Sequence, residues 1–280
     1  MSSHAGHSYY HRGRFFVSPW GLVEDFYSYI ISYVESRAVI QNDIEDRVRH
    51  YWTLRSESFS EVRKEELENE IGDLWKAELL KQFPEPVPKD ILDVGTGAGF
   101  FAILLSEVGH NVTGIDLTPD MIEEAKKNAL LFGVSPCFKV MDAQELEFAD
   151  ETFDAVVTRN LTWTLPDPER AYKEWYRVLR RGGVLINYDA NYAQAYTDES
   201  KKLKDNSLAH GHKGVTAEMA EENKEITLSM SIASCQRPGW DAWVLKEIGF
   251  SSCEVFDDAG NSTLQLYNGS SPIFCIRAVK

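Results

Sequence analysis

The chain has 280 residues, 43% hydrophobic and 26% charged, with 29 Lys and Arg against 44 Asp and Glu for a net charge of −15. That composition belongs to a globular protein and excludes a chain disordered throughout, and no apolar run approaches the ~20 residues that span a bilayer. The acidity opposes phosphate backbones and anionic membrane surfaces, so neither nucleic acid nor a membrane is an expected partner.

Residues 1–14 are polar, carry His4, His7 and His11 and have no apolar segment behind them, which reads as the frayed terminus of a cytoplasmic protein. Cys137, Cys235, Cys253 and Cys275 are widely spaced without a CxxC pair, so they are expected as reduced thiols, and no metal site is expected. Residues 1–88 read as a helical cap and linker. Leu22, Phe26, Tyr29, Ile30, Tyr33 and Val34 recur at helical spacing. A second helical stretch is expected near Ile44–Leu54, and a third runs from a capped start at Ser60 to Phe83, ended by Pro84, Pro86 and Pro88. The surplus aromatics Phe15, Phe16, Trp20, Phe26, Tyr27, Tyr29 and Tyr33 fit a cover for a site or a face buried in a homodimer.

Residues 89–280 change character. Asp90–Val94, Asn111–Asp116, Cys137–Met141, Phe153–Arg159 and Val184–Tyr188 read as buried strands. Phe100–Val108, Pro119–Phe132 and Pro168–Arg180 read as helices between them. The alternation predicts an α/β fold with a Rossmann-like, doubly wound, mostly parallel sheet and helices on both faces. Residues 190–237 are polar and too long for an ordinary connection, which predicts an inserted lid or substrate segment. Within it His210 and His212 read as a surface loop or a base. A helix over Trp240–Ile248, ended by Gly249, and strands over Ser251–Phe256 and Ile273–Val279 bring the sheet to seven strands.

The chemistry is carried by Ile91-Leu92-Asp93-Val94 running into Gly95-Thr96-Gly97-Ala98-Gly99 and then a helix. Glycines let the backbone turn sharply and admit a ligand where a Cβ would stand, and the helix N-terminus presents free N–H groups. Asp116 ends the second strand, roughly 20 residues on, where a ribose diol is held. The spacing is Asp-x-Gly-x-Gly-x-Gly, with Phe100 where a dinucleotide fingerprint needs another pattern.

This segment, with Ile115–Met121, Met141–Ala143, Phe153–Val157 and Tyr176–Gly183 following in order, resembles the class I S-adenosylmethionine-dependent methyltransferases over residues 91–190, about a third of the chain. The resemblance implies S-adenosylmethionine as cofactor, S-adenosylhomocysteine as product, and a small-molecule methyl acceptor. It implies that Asp93 or the Gly95 carbonyl accepts from the donor's ammonium and that Thr96, Gly97 and Gly99 leave room for its methionine tail. Asp116 would take the ribose hydroxyls, Leu117 and Met121 would sandwich the adenine, and Asp142 and the Ala143 N–H would face its edge.

The acceptor side is less determined. The donor is already activated, so positioning supplies most of the catalysis and no general base is dictated. Arg159-Asn160 resembles the corresponding turn of UbiE/Coq5-type C-methyltransferases, which makes Asn160 a positioning candidate toward donor or substrate and Trp163 a substrate wall. Tyr51 and Arg55 share a helical face and are candidate substrate contacts. Tyr188 and Asn191, past the fifth strand, are candidates on the rim, with Asp189 between them. Two alternatives stay open: a methyltransferase acting on RNA or protein through the basic cluster Arg159, Arg177, Arg180 and Arg181, and a non-catalytic donor-binding protein.

Overall fold

The computed structural model describes residues 19–83, 87–197, 213–257, 264 and 272–280, with side chains from residue 43 onward, Ala195 excepted. The histidines at 4, 7, 11, 210 and 212 and the aromatic side chains of residues 15–33 lie outside this description. The residues group into two compact units, Met1–Asn42 and Asp43–Lys280. The expected boundary at 88/89 therefore differs from the observed one: residues 43–83 pack as part of the second unit.

Helix α1 runs over Pro19–Leu67 and α2 over Glu70–Gln82. Ser60 does not start a helix, as the sequence predicts; it is interior to α1, and its hydroxyl accepts from Asn128 Nδ2 at 3.0 Å. The break falls instead at residues 68–69. Asn69 caps α2 by accepting from the Ile71 N–H at 2.8 Å. Gly72 then lets α2 fold back closely, since a Cβ there would stand 2.7 Å from the Glu66 carbonyl oxygen.

The strands are β1 (Asp90–Val94), β2 (Asn111–Asp116), β3 (Cys137–Val140), β4 (Phe153–Arg159), β5 (Leu179–Ala190), β6 (Ser252–Phe256) and β7 (Ile273–Val279). They form one sheet in the order β3-β2-β1-β4-β5-β7-β6, parallel except that β7 runs antiparallel to both its neighbours. The central strands β1 and β4 are buried on both faces, which is why they read as continuous apolar runs. The remaining helices are α3 (Phe100–Glu107), α4 (Pro119–Leu131), α5 (Pro168–Val178), α6 (Tyr192–Thr197), α7 (Ala217–Ser229) and α8 (Gly239–Ile248). Pro at the first turn of α4 and α5 and the left-handed Gly249 closing α8 follow ordinary helix-end chemistry.

Two cores flank the sheet. On one face Trp175 and Tyr172 of α5 and Val244 of α8 cover Leu92, Val94 and Ile276. On the other, Trp75 and Leu79 of α2 join Phe101 and Leu104 of α3 over Ile91, Val157 and Tyr188. That second core is why α2 belongs with the sheet. No helix among the described residues is long and apolar enough to cross a membrane.

The strand order reverses between β1 and β4, so the crevice beyond their carboxyl ends is where a ligand of this architecture binds.

Candidate active site

A cavity of about 310 Å³ opens at that crevice. Its floor is the turn after β1. Gly95 and Gly97 have φ of +65° and +52°, the left-handed region that favours glycine. A Cβ on Gly97 would come within 3.2 Å of the Phe59 ring, so α1 lies directly over the turn. Asn128 of α4 fastens that arrangement: its Nδ2 donates both to Ser60 Oγ and to the Ala98 carbonyl, each at 3.0 Å.

Gly95, Thr96 and Gly97 line the cavity and Gly99 does not. Gly99 corrects the expectation of a ligand contact. Its φ is +88°, and a Cβ would meet Ala125 and Phe138 at 3.2 Å, so glycine there lets α3 start close against α4 and β3.

Asp93 faces the cavity but its Oδ2 is engaged within the turn, accepting from Thr96 Oγ1 at 2.6 Å and the Ala102 N–H at 3.0 Å. Burial pushes its pKa up to about 7, although both hydrogen bonds favour the ionised form. Because the folded pKa lies above the unfolded one, the folded state holds the extra proton. The contribution to stability is fully present below about pH 4 and is lost as pH rises to about 7. Melting the ligand-free protein between pH 5 and 8 is therefore expected to show a fall that Asp93→Asn flattens; parallel curves for the two proteins would contradict this.

At the end of β2, Asp116 accepts from the Gly97 N–H through Oδ2 at 3.0 Å and from the Thr118 N–H through Oδ1 at 2.9 Å. Burial raises its pKa against those bonds. Each oxygen retains lone-pair capacity toward the cavity, which suits a vicinal diol. Leu117 and Met121 lie beside it. Past β3, Asp142 Oδ1 accepts from the Gln144 N–H at 2.8 Å and Nε2 at 3.2 Å, and Gln144 Oε1 in turn accepts from the Asp167 N–H. Ala143 stands next to it on the cavity wall.

At the end of β4, Asn160 also lines the cavity, at φ +56°, a strained conformation for a residue with a Cβ. Its N–H donates to the Tyr188 carbonyl at 2.8 Å, and its own carbonyl accepts from Trp163 Nε1 at 2.9 Å. Tyr51, Arg55 and Trp163 line the cavity too. Arg55 is buried and donates to Ser58 Oγ and the Lys213 carbonyl, each at 2.6 Å.

Two expected rim contacts are elsewhere. Tyr188 is wholly buried, edge-on to Trp75 at 5.1 Å, with its hydroxyl between Gln82 and Glu78. The cause is that β5 continues to Ala190, which leaves Tyr188 inside the sheet, with its side chain in the core that α2 and α3 cover. Asn191 lines a separate small pocket beneath α6. Asp189 is fully buried in an ion pair with Arg237 at 2.9 Å.

Sequence reasoning missed a buried charge cluster on α1. Arg63 pairs with Glu66 at 2.6 Å, Arg159 approaches Glu66 at 3.5 Å, and all three line the cavity. Their spacing on α1, with Phe59 four residues before Arg63, is the only signal, and it is equally the pattern of a solvated face. Tyr192, Tyr196 and Asn223 complete the roof from the inserted segment. The basic cluster splits up: Arg177 pairs with Glu174 and Asp150, Arg180 with Asp90 and Asp154, Arg181 with Glu151, and Arg159 turns toward Glu66 with 12% of its side chain exposed. No shared cationic groove is formed by these four.

A glycine turn opening into a helix, with carboxylates at the ends of the next two strands, lines one cavity at the switch point of an α/β sheet. Residues 92–187 match a family described as a methyltransferase domain. A phosphatidylethanolamine N-methyltransferase of Cereibacter sphaeroides is 42% identical over 106 residues, covering 36% of this chain and 51% of that protein. A demethylmenaquinone methyltransferase of Thermus thermophilus is 38% identical over 114 residues, covering 40% and 52%. The chain thus spans about half the length of the curated relatives it matches. The fold is shared with phosphoethanolamine N-methyltransferase 2 of Haemonchus contortus, solved with S-adenosyl-L-methionine, at a TM-score of 0.54 and 20% identity, covering 73% of this chain and 51% of that one. Residues 92–187 are thus similar to methyltransferase domains, and the chain shares the fold of one solved with S-adenosyl-L-methionine.

Proposed function

We propose that the protein transfers a methyl group from S-adenosylmethionine to a small-molecule acceptor. The observation that carries this reading is the single cavity wall shared by the open Gly95–Gly97 turn, Asp116 and Asp142. These residues fit the donor: the turn leaves room for the methionine tail, Asp116 offers acceptors to the ribose, and Leu117, Met121, Asp142 and Ala143 surround the adenine. The bound donor supplies an activated methyl group for in-line displacement. The chain's part is to hold the acceptor in line with it, with Asn160 and Trp163 on the β4 side, and to exclude water beneath the stretch of α1 from Glu45 to Glu66 and the inserted residues Tyr192, Tyr196, Val215 and Asn223, which act as a lid.

Small size of the acceptor is supported by a cavity lined by the aromatic side chains Tyr51, Trp52, Phe59 and Trp163 and by the absence of a shared groove among Arg159, Arg177, Arg180 and Arg181. A cytoplasmic location and a homodimer built on the N-terminal helix are further parts of this reading. Thermal unfolding with S-adenosylhomocysteine, S-adenosylmethionine and NAD⁺ tests the donor site. Ligand at about 100 times its dissociation constant adds about 2.7 kcal/mol, a shift of several degrees. Shifts with both sulfur ligands and none with NAD⁺ are expected; no shift with either sulfur ligand would refute the reading.

A further inference from the structure

Two guanidinium groups meet over the start of α3. Arg159 lies 5.0 Å from the Phe100 ring centre and Arg63 5.9 Å from the same one, and Phe100 is the first residue of α3, directly after the glycine turn. Each reaches that turn from its own side. β1 and β4 run parallel with Val94 opposite Thr158, which brings the next residue, Arg159, level with Gly95. Arg63 stacks at 4.8 Å on Phe59, the ring that covers Gly97.

One carboxylate serves both cations. Glu66, inaccessible to water, stands 2.6 Å from Arg63 and 3.5 Å from Arg159, and the Nε of each arginine is buried without a hydrogen-bond partner. Burial pulls the Arg159 pKa down to about 10. Two cations against one anion leave a positive charge uncompensated, which is costly away from water unless a further anion joins it. All three residues line the cavity. Their place along the sheet identifies the part of the ligand that supplies the anion. In the strand order β3-β2-β1-β4, Asp142 and Asp116 end the first two strands, the glycine turn follows the third, and Arg159 ends the fourth. A donor with its adenine at Asp142 and its ribose at Asp116 therefore points its tail across the turn toward the two arginines. S-adenosylmethionine has no phosphate, and its one anionic group, the α-carboxylate, stands at the end of that tail.

Building on the methyltransferase reading, we propose that Arg63 and Arg159 together bind the donor's α-carboxylate, with Glu66 holding the two side chains next to each other. The probes are S-adenosylhomocysteine and its decarboxylated counterpart S-adenosyl-3-thiopropylamine, which keeps the amine and lacks the carboxylate. Each is titrated by calorimetry into the full-length protein. Charge-assisted hydrogen bonds to the carboxylate make S-adenosylhomocysteine roughly ten- to hundredfold the tighter ligand. Arg63→Gln or Arg159→Gln leaves a single cation, already matched by Glu66. Either variant is therefore expected to bring the two affinities within about threefold of each other by weakening S-adenosylhomocysteine, while the amine analogue binds as before. A role confined to folding would weaken both ligands alike. Should a glutamine variant fail to fold, the lysine variant at that position keeps the charge and loses the planar fork, so S-adenosylhomocysteine alone weakens. Equal binding of the two ligands by the wild-type protein, or equal weakening of both in the variants, overturns the proposal and leaves the methyltransferase reading standing. Binding of neither ligand by the wild-type protein refutes that reading, and the proposal falls with it.

Discussion

Replacing Asp116 by alanine is expected to lower affinity for S-adenosylhomocysteine by roughly a hundredfold or more, about 3 kcal/mol. Each carboxylate oxygen already accepts one backbone N–H, from Gly97 or Thr118. Those bonds fix the plane of the carboxylate before any ligand arrives, so two hydroxyls are met by a pre-oriented acceptor. Asp116→Asn does not restore binding, because an amide turns one acceptor into a donor that faces a backbone N–H. Calorimetric titration of the two variants checks this, with unliganded melting curves as the control for folding. Binding within about fivefold of wild type in Asp116→Ala would show that the ribose is held elsewhere.

The largest stability effect is expected at Arg237. Its guanidinium meets Asp189 at 2.9 Å and Asp241 at 2.8 Å, and all three side chains are essentially inaccessible to water. The Tyr172 hydroxyl donates to the same Asp241, and Asn187 Nδ2 donates to Tyr172 Oη and Thr162 Oγ1, each at 3.0 Å. This network ties α8, α5, β5 and the end of the inserted segment to the turn that carries Trp163. Arg237→Met leaves two buried carboxylates without their cation, at a cost of about 3–5 kcal/mol. For a domain of this size that is a fall in Tm of roughly 10 °C. Adding Asp189→Asn and Asp241→Asn to Arg237→Met is expected to recover part of the loss, since the stranded charge is then gone. Chemical unfolding of the single and triple variants measures both effects, and a single-variant loss under about 1 kcal/mol would show that water enters the network.

The sheet and the cavity floor were legible in sequence for one reason: both impose strict spacing. Strands buried on two faces, such as Ile91–Val94 and Ala155–Val157, must be unbroken apolar runs. A cavity at the carboxyl edge of a sheet draws its lining from the ends of successive strands, as with Asp93, Asp116 and Asp142. Arg63 and Glu66 were not legible, because charged residues at helical spacing look alike whether they face solvent or roof a cavity. Tyr188 misled because the expected end of β5 fell two residues before the observed one, which left a core residue at the apparent rim. The helix boundary at Ser60 misled because a capping residue type can serve a tertiary hydrogen bond instead, here from Asn128.

The Asn128 clasp has a consequence for the shape of the cavity. It joins α1 to the Ala98 carbonyl, so the roof is pinned to the glycine turn itself. Phe59 stands over Gly97 on the same side. Those contacts hold roof and turn at a fixed spacing, so a ligand laid on Gly95–Gly97 meets a gap whose height is set before it arrives.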